Sequence, residues 1–380
     1  MNVRESSGKQ IAERPDQVKR IDENWYQVRA QSLSYESWYD VVLTESGYAC
    51  DCPDNQWRKV KCKHIHAVEF SLQIRKQVQS IVINQIETNQ CKFCNSTDIF
   101  KKGLRKNKTY SLQVYKCRTC NKKFSINLGF EKMKASPQVI TSAMQLYFTG
   151  ESLRNVQKFL ELQGVKITHK TVWNWIRKYI GLMESYLDKV TPQVSDKWRA
   201  DELWIKINGN MKYLFAMMDD ETRYWLAQEV ANTKHTHDVQ NLFRKSRKVA
   251  GKKPMTLITD GLHSYKEGYM KEYWTQHYPR TQHIHFASIK GKHDNNKMER
   301  MNGEVRDREK VMRGLKKVDT PILTGYQIFH NYIRPHEGLE GQTPSEACGI
   351  KIEGDNKWIT LIQNAKVSKV NTDKIRGEVS

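Results

Sequence analysis

The hydrophobic pattern changes period several times along the chain, and each change predicts an element. From Trp198 the run WRADELWIKING alternates Leu203, Ile205 and Ile207 with other residues. A period of two marks a strand and puts Asp201 on the face of those three residues. Gly209 and Asn210 signal a turn, MKYLFAMM a second strand and TRYWLAQEV a third, which together predict a β-meander. The basic, proline-free stretch His235 to Ala250 predicts a helix. Met255 to Thr259 is a short apolar strand, with Asp260-Gly261 at its C-terminal end, where open α/β sheets carry their sites. From about Lys297 to Arg313 a helix is predicted, placing Asn296, Glu299 and Arg306 on one face at offsets of three and seven.

Upstream the period is helical. Ser136-Pro137 starts a helix that ends before Gly150, Ser152 caps a second that stops at Gly164, and Thr168 opens a third through VWNWIRKYI. Val172, Trp175, Ile176 and Tyr179 form the inner stripe of the third helix; Lys170, Trp173, Asn174 and Arg177 fall outside it. GLMESYLDKV reads as a helical linker to Thr191-Pro192. Nearer the start, WYQVRA and SWYDVVLT read as strands, Gly47 as a turn and HIHAVEFSLQIRKQVQSIV as a helix. Residues 1 to 22 and the last thirty are polar and expected to be loosely ordered in part. The fold class is α/β. The expected domains are 1–85, 86–130, 131–190 and 191–350, with a tail at 351–380.

Seven of the eight cysteines fall in short spacings, which points to metal sites in a reducing cytoplasm rather than to disulfides. Cys50, Cys52, Cys62 and His64 suit a closed tetrahedral Zn²⁺ site, with His66 as an alternative to His64 and a reduced, metal-free cluster as the plainer reading. Cys91, Cys94, Cys117 and Cys120 form two C-x-x-C knuckles around a predicted β-hairpin, a second structural Zn²⁺ site. So short a unit cannot build enough core alone, so metal would supply most of its folding energy. Cys348 stands apart and is expected to be buried as a small apolar residue.

The net charge of +21 over 380 residues fits a polyanionic partner such as DNA or RNA, or else a merely soluble basic protein. Between Lys101 and Ser125 there is no acid, and Lys101, Lys102, Arg105, Lys106 and Lys108 crowd the hairpin as candidate phosphate contacts. Lys170, Asn174 and Arg177 would face DNA if the three helices form a helix-turn-helix; the plainer reading is a packing bundle. No apolar run approaches the roughly 18 residues needed to span a bilayer, and the N-terminus lacks a secretory h-region. The expected location is the cytoplasm.

Asp201, Asp260 and Glu299 would bring carboxylates from two strands and a helix to one point. Oxygen ligands of that kind suit Mg²⁺ or Mn²⁺. Glu202, Asp219 and Asp220 compete for the first position, Glu304 and Glu309 for the last. With Asn296, Tyr265, Arg306 and the trailing FHNYIRPHEGLEGQTPSEACG, this span resembles the DDE transposases of insertion sequences, which have an RNase-H-like catalytic core. The N-terminal cluster resembles a SWIM-type zinc finger, which favours His64 as the ligand, and residues 91–124 resemble the zinc ribbons ahead of some transposase cores.

The resemblance implies a transposase that cuts element ends and joins the 3′-hydroxyl to target DNA by two-metal chemistry, with Asp201, Asp260 and Glu299 catalytic. It also implies recognition of terminal inverted repeats, an Arg306 that contacts the DNA backbone or steadies Glu299, a homodimer or higher homo-oligomer, and a place at the nucleoid of a prokaryote. His283, His285 and His293 are given no catalytic role. The alternatives are a transposase-derived zinc-dependent DNA-binding regulator without catalysis, and a metal-dependent nuclease without strand transfer.

Overall fold

The computed structural model describes residues 3–13, 17–22, 24–31, 37–44, 47–76, 81–86, 90–106, 110–125, 127–276, 280–285, 296–312, 315 and 321–377. It forms two compact units. The first is Met1–Ser80 with Pro254–Thr256 and Trp274–Gln282; the second is Ile81–Lys253, Leu257–Tyr273 and His283–Ser380.

The first unit opens with helix α1 (Val3–Glu13) and the strands β1 (Val18–Asp22), β2 (Trp25–Arg29), β3 (Trp38–Thr44) and β4 (Gly47–Cys50). The strands form one antiparallel sheet in that order. A short α2 (Pro53–Gln56) and the helix α3 (Lys63–Lys76) follow. Tyr26 and Val28 alternate inward on β2, as period two requires. Residues 3–13 and 18–22 are ordered, against the expectation of a loose start. Polarity there reflects a solvated face: Ile11 is buried, and Gly8 lets α1 close on α3, where a Cβ would meet the Cβ of His66 at 2.5 Å.

The second unit begins with β5 (Ile81–Ile83) and a three-stranded sheet of β6 (Ile99–Lys106), β7 (Ser111–Cys117) and β8 (Lys123–Ser125). Then come α4 (Pro137–Thr149), α5 (Leu153–Leu162) and α6 (His169–Leu187). Ser136, Ser152 and Thr168 each accept a backbone N–H three residues on, so the three caps read from sequence form as expected. α6 runs further than its predicted span. The expected linker is its last two turns, because Met183 and Leu187 continue the buried stripe of Val172, Ile176 and Tyr179.

The core follows: β9 (Lys197–Ile207), β10 (Asn210–Asp219), β11 (Trp225–Ala231), α7 (Thr236–Ala250), β12 (Thr256–Thr259), α8 (His263–Glu272), β13 (Gln282–His285) and α9 (Asn296–Met312). The sheet order β11-β10-β9-β12-β13, with β9 to β11 antiparallel, is that of an RNase-H-like core. The sequence reading missed α8 and β13. α8 is polar along most of its length and buries Ser264, Tyr265, Gly268 and Glu272, with Gly268 against Val239 of α7. β13 is four residues with three polar side chains.

The chain ends with α10 (Pro321–Ile328), a π-helical turn Phe329–Ile333, α11 (Pro344–Ala347), β14 (Ile350–Ile352), which pairs in parallel with β5, and α12 (Lys357–Gly377). The tail from 351 is therefore largely structured rather than loose. Trp358, Leu361, Ile362 and Ala365 stand at i, i+3, i+4 and i+7 and are buried, with Trp358 stacked on Phe148 at 5.8 Å. The polar remainder of α12 masks that stripe in a simple composition count.

Gly325 of α10 sets how closely the helices pack on the core. A Cβ there would overlap the Phe148 ring and lie 3.0 Å from Ile180 Cδ1, whereas one at Gly303 of α9 would meet open space. Gly325→Ala should therefore cost about 1–3 kcal/mol through overpacking. Gly303→Ala should gain about 0.5–1 kcal/mol from helix propensity. Thermal melts of the two variants should move in opposite directions; parallel shifts would contradict this packing.

Candidate active site and metal centres

Cys50 ends β4, Cys52 is the N-cap residue of α2, Cys62 precedes α3 and His64 sits in its first turn. All four are buried, and one ligand atom from each lies within 4.8 Å of the others. The Cys52 N–H donates to Cys50 Sγ at 3.5 Å, and Cys50 Sγ lies 3.8 Å from His64 Nδ1. His66, the alternative ligand, points its Nδ1 toward Glu69 at 3.7 Å and stands outside the group.

The second cluster joins Cys91 and Cys94 to Cys117 and Cys120, with Sγ–Sγ distances of 3.5 Å (Cys91–Cys120) and 3.6 Å (Cys94–Cys117). None of these cysteines is in a disulfide. A tetrahedron with Zn–S of about 2.3 Å has edges of about 3.8 Å, so the spacing fits a shared cation and far exceeds a disulfide bond. The hairpin side chains Lys101, Lys102, Arg105 and Lys106 are exposed on β6. A neighbouring Lys123 pulls the Lys102 ammonium below its usual range, a sign of like-charge crowding. Lys108 lies outside the described residues. Lys170, Asn174 and Arg177 share the exposed side of α6, and Trp175 is core.

The acidic site is built on β9. The alternation turns Asp201 toward α9, with Leu203, Ile205 and Ile207, and turns Glu202 to the opposite face, where Phe215 is its cross-strand neighbour. The residue opposite Asp201 is the small Ala216. Asp260, at the end of β12, completes a group: one oxygen each of Asp201, Glu202 and Asp260 lies within 4.8 Å of the others. Asp260 Oδ1 accepts the Leu262 N–H at 3.1 Å, which shapes the turn into α8.

Glu299 stands outside that group, exposed on the first turn of α9. Its charge nevertheless bears on Asp201. Burial pushes the Asp201 carboxyl up to about 7, and the charges of Glu202, Asp260 and Glu299 add to the rise against one backbone hydrogen bond. Two residues of the site escaped the sequence reading. Asn302, one turn after Glu299, donates from Nδ2 to Asp201 Oδ2 at 2.9 Å and keeps its own Oδ1 buried without a partner. Its offset of three from Glu299 was the available signal. Glu202, weighed only as a substitute for Asp201, is buried beside it. Lys234 Nζ donates to its Oε1 at 2.6 Å, and its Oε2 is buried without a partner.

The competing acids have other employment. Asp219 is fully enclosed, accepting from Ser195 Oγ at 2.5 Å and from Thr222 N at 2.8 Å. Asp220 meets Arg199, Lys197 and Lys297, whose charges hold its carboxyl below the usual range despite burial. Glu304 pairs with Arg334 at 2.5 Å, and Glu309 accepts the Lys206 N–H. Arg306 is exposed and pairs with no carboxylate among the described residues. His283 bonds Thr259 Oγ1 at 2.9 Å and packs on Tyr269 at 4.9 Å. Burial lowers it to about 4, so it is neutral at pH 7 and packs. His293 lies outside the described residues.

The sequence of this span agrees with the geometry. Residues 195–336 match the family model of a DDE domain, and residues 39–73 match that of the SWIM zinc finger. The chain carries a DDE domain and a SWIM zinc finger. Over 141 residues, the chain is 30% identical to the transposase for insertion sequence-like element IS431mec of Staphylococcus aureus. It is equally similar to the transposase for insertion sequence element IS257 in transposon Tn4003 of the same organism. The match covers 36% of this chain and 61% of each relative. Among solved structures, the HTLV-2 integrase catalytic core domain is 14% identical with a TM-score of 0.30, over 41% of this chain and 95% of that one. A simian T-cell lymphotropic virus intasome chain is 12% identical with a TM-score of 0.33, over 55% and 73%. No helix among the described residues is long and apolar enough to cross a membrane.

The charge state of the DDE domain's Asp201 generates a prediction. Its folded pKa of about 7 lies above the unfolded value, so between pH 4 and 7 the folded state binds more protons. Metal-free protein should then lose stability at this residue as pH rises through that window, and Asp201→Asn should raise the melting temperature at pH 8. Saturating Mn²⁺ should raise the wild-type melting temperature and leave the variant unmoved. An Asp201→Asn variant less stable than wild type without metal would refute the electrostatic account.

Proposed function

We propose that this protein is a DNA transposase whose DDE domain cuts the ends of a mobile element and joins them to target DNA. The observation that carries the reading is the crowding of Asp201, Glu202 and Asp260 within 4.8 Å, with the charge of Glu299 felt at the buried Asp201. Such repulsion lowers stability unless a cation occupies the site, and an all-oxygen donor set favours a hard divalent ion.

Asp201, Asp260 and Glu299 are the residues proposed to hold Mg²⁺ or Mn²⁺. When bound, that ion would lower the pKa of the attacking oxygen and offset charge on the scissile phosphate. Asn302 fixes the Asp201 carboxylate through its 2.9 Å hydrogen bond, and Lys234 holds Glu202 on the other face of β9. The chemistry is two in-line displacements at phosphorus. Water first attacks a phosphodiester at the element end, and the 3′-oxygen leaves and takes a proton to become a hydroxyl. That hydroxyl then attacks a target phosphodiester and gives up its proton; a new P–O bond forms and the target 3′-oxygen leaves.

The other parts fit the handling of DNA. The acid-free face of β6 offers Lys101, Lys102, Arg105 and Lys106 to phosphates, and α6 offers Lys170, Asn174 and Arg177 to a groove. Arg306, two turns after Glu299, is available to the backbone of the bound strand. The division of labour follows the expected domains: the SWIM finger in 1–85, a ribbon in 86–130, end recognition in 131–190 and catalysis in 191–350. The inverted repeats and the target are the DNA partners, and a homodimer would pair two ends.

Glu299→Gln should reduce cleavage of plasmid-borne element ends by about 100-fold or more while end binding stays intact. Gel analysis of the nicked and joined products reads both displacements. Wild-type-like cleavage by the variant would remove Glu299 from the site, and cleavage without joining would indicate a nuclease.

A further inference from the structure

Behind α9 lies a second site that the cleavage chemistry does not use. It is a cavity of about 210 Å³ walled by the β10–β11 turn, the first turns of α9, the π-helical turn and His336. We propose that this cavity holds a backbone phosphate of the DNA strand, adjacent to the one acted on at Asp201. This rests on the DNA reading given above.

Charge is the first argument. Among the described residues, Asp220 is met by Arg199, Lys197 and Lys297, and Glu304 by Arg334 and Arg300. Arg223 is paired with no carboxylate there, which leaves six cations around two acids. Arg223, Lys297 and Arg300 line the cavity itself. Guanidinium groups suit phosphate because their planar donors match its oxygens.

Unspent ring nitrogens that call for water in the cavity, which can bridge to a phosphate, are the second argument. His330 and His336 line the cavity at 3% and 8% exposure, and His330 Nδ1 and His336 Nε2 are buried without partners. The Arg223 carbonyl can only accept, so His330 carries its proton on Nε2, 3.0 Å away, and offers Nδ1 as an acceptor. Burial holds both rings near pKa 4, so they are neutral at pH 7 and the positive charge comes from the arginines and Lys297. The volume leaves room beside a phosphate for waters of roughly 30 Å³ each, which can satisfy the acceptor.

Backbone geometry is the third. Arg223 sits at φ 56°, a left-handed conformation that glycine or asparagine adopts more cheaply. The turn alone gives no reason for an arginine there. A Cβ at Gly338 would overlap the Arg223 guanidinium, so the glycine keeps the space that the side chain occupies. Asn331 clamps the π-helical turn to Trp225, accepting its N–H at 2.8 Å and donating to its carbonyl at 3.0 Å. A π-turn so anchored aims His330 inward. Because α9 turns Asn302 toward Asp201 and Lys297 and Arg300 toward the cavity, one strand can reach both flanks of the helix.

The full-length protein should be titrated with a mixed-sequence duplex at several salt concentrations, and with inorganic phosphate followed by ³¹P NMR. Arg223→Gly suits the left-handed backbone and should melt no lower than wild type. The log K against log salt slope should fall by about one, the loss of one phosphate contact. Arg223→Lys should restore the slope, and Gly338→Ala should reduce it. An unchanged slope in a folded Arg223→Gly variant overturns the proposal, as does phosphate binding at the cavity with an unaltered DNA slope. Wild-type cleavage with an unchanged slope would sink the cavity and leave the transposase reading standing. Absent cleavage with an Arg223-dependent slope would do the reverse.

Discussion

Mutual repulsion of carboxylates at the mouth of the sheet is the constraint on which the rest of the second unit depends. Asp201, Glu202 and Asp260 crowd within 4.8 Å with Lys234 as the cation bonded to the group. Burial and like charge together move Asp201 up to about 7. A fold selected for stability alone would have placed a hydrogen-bonded neutral group there. The strain persists because β9 and β12 sit side by side in the sheet and α9 packs over β9, so the middle of β9, the end of β12 and the helix face arrive together. The surroundings are densely packed: Phe243 stacks on Tyr273 at 4.8 Å, and Tyr265 is fully enclosed with its hydroxyl close to the acids.

The same economy explains the metal modules. The β6–β8 unit buries Cys91, Cys117 and Phe124 as its core, with Ile99, Tyr115 and Cys120 packed alongside, too little to hold three strands together. A cation held by its four cysteines, spaced as the corners of a tetrahedron, would take the place of a core. The SWIM unit has a fuller interior, with Tyr26, Val28, Val41, Ile65 and Val68 around its cysteines and His64, so a metal there would supplement packing.

Much of this was legible in the sequence, for reasons that vary by element. Caps are local chemistry, so Ser136, Ser152 and Thr168 marked their helices reliably. The strands β9 to β11 carry enough apolar residues to show their period, and the cysteine spacings announce both clusters. α8 and β13 were missed because their burial comes from long-range packing of isolated residues such as Tyr265 and His283, which leaves no local period. The tail was misjudged because the stripe from Trp358 to Ala365 is embedded in a helix that is polar elsewhere. At the site, Asp201 was singled out by the alternation along β9 and Asp260 by its place at the end of β12. Glu202 entered only as a competitor for the first acidic position, yet two successive strand residues can both reach a group at the neighbouring strand's end. Asn302 carries no charge, so its offset of three from Glu299 was the one signal the sequence held, and the contact with Asp201 gives it meaning.

The central claim is that carboxylates from β9, β12 and α9 serve one divalent cation. The most direct measurement is anomalous diffraction from crystals of the full-length protein grown with Mn²⁺. The account predicts an anomalous peak bonded to Asp201 and Asp260, with Glu299 swung in from α9 to join them. An acidic site empty of manganese at saturating concentration, with Glu299 still facing solvent, would contradict it.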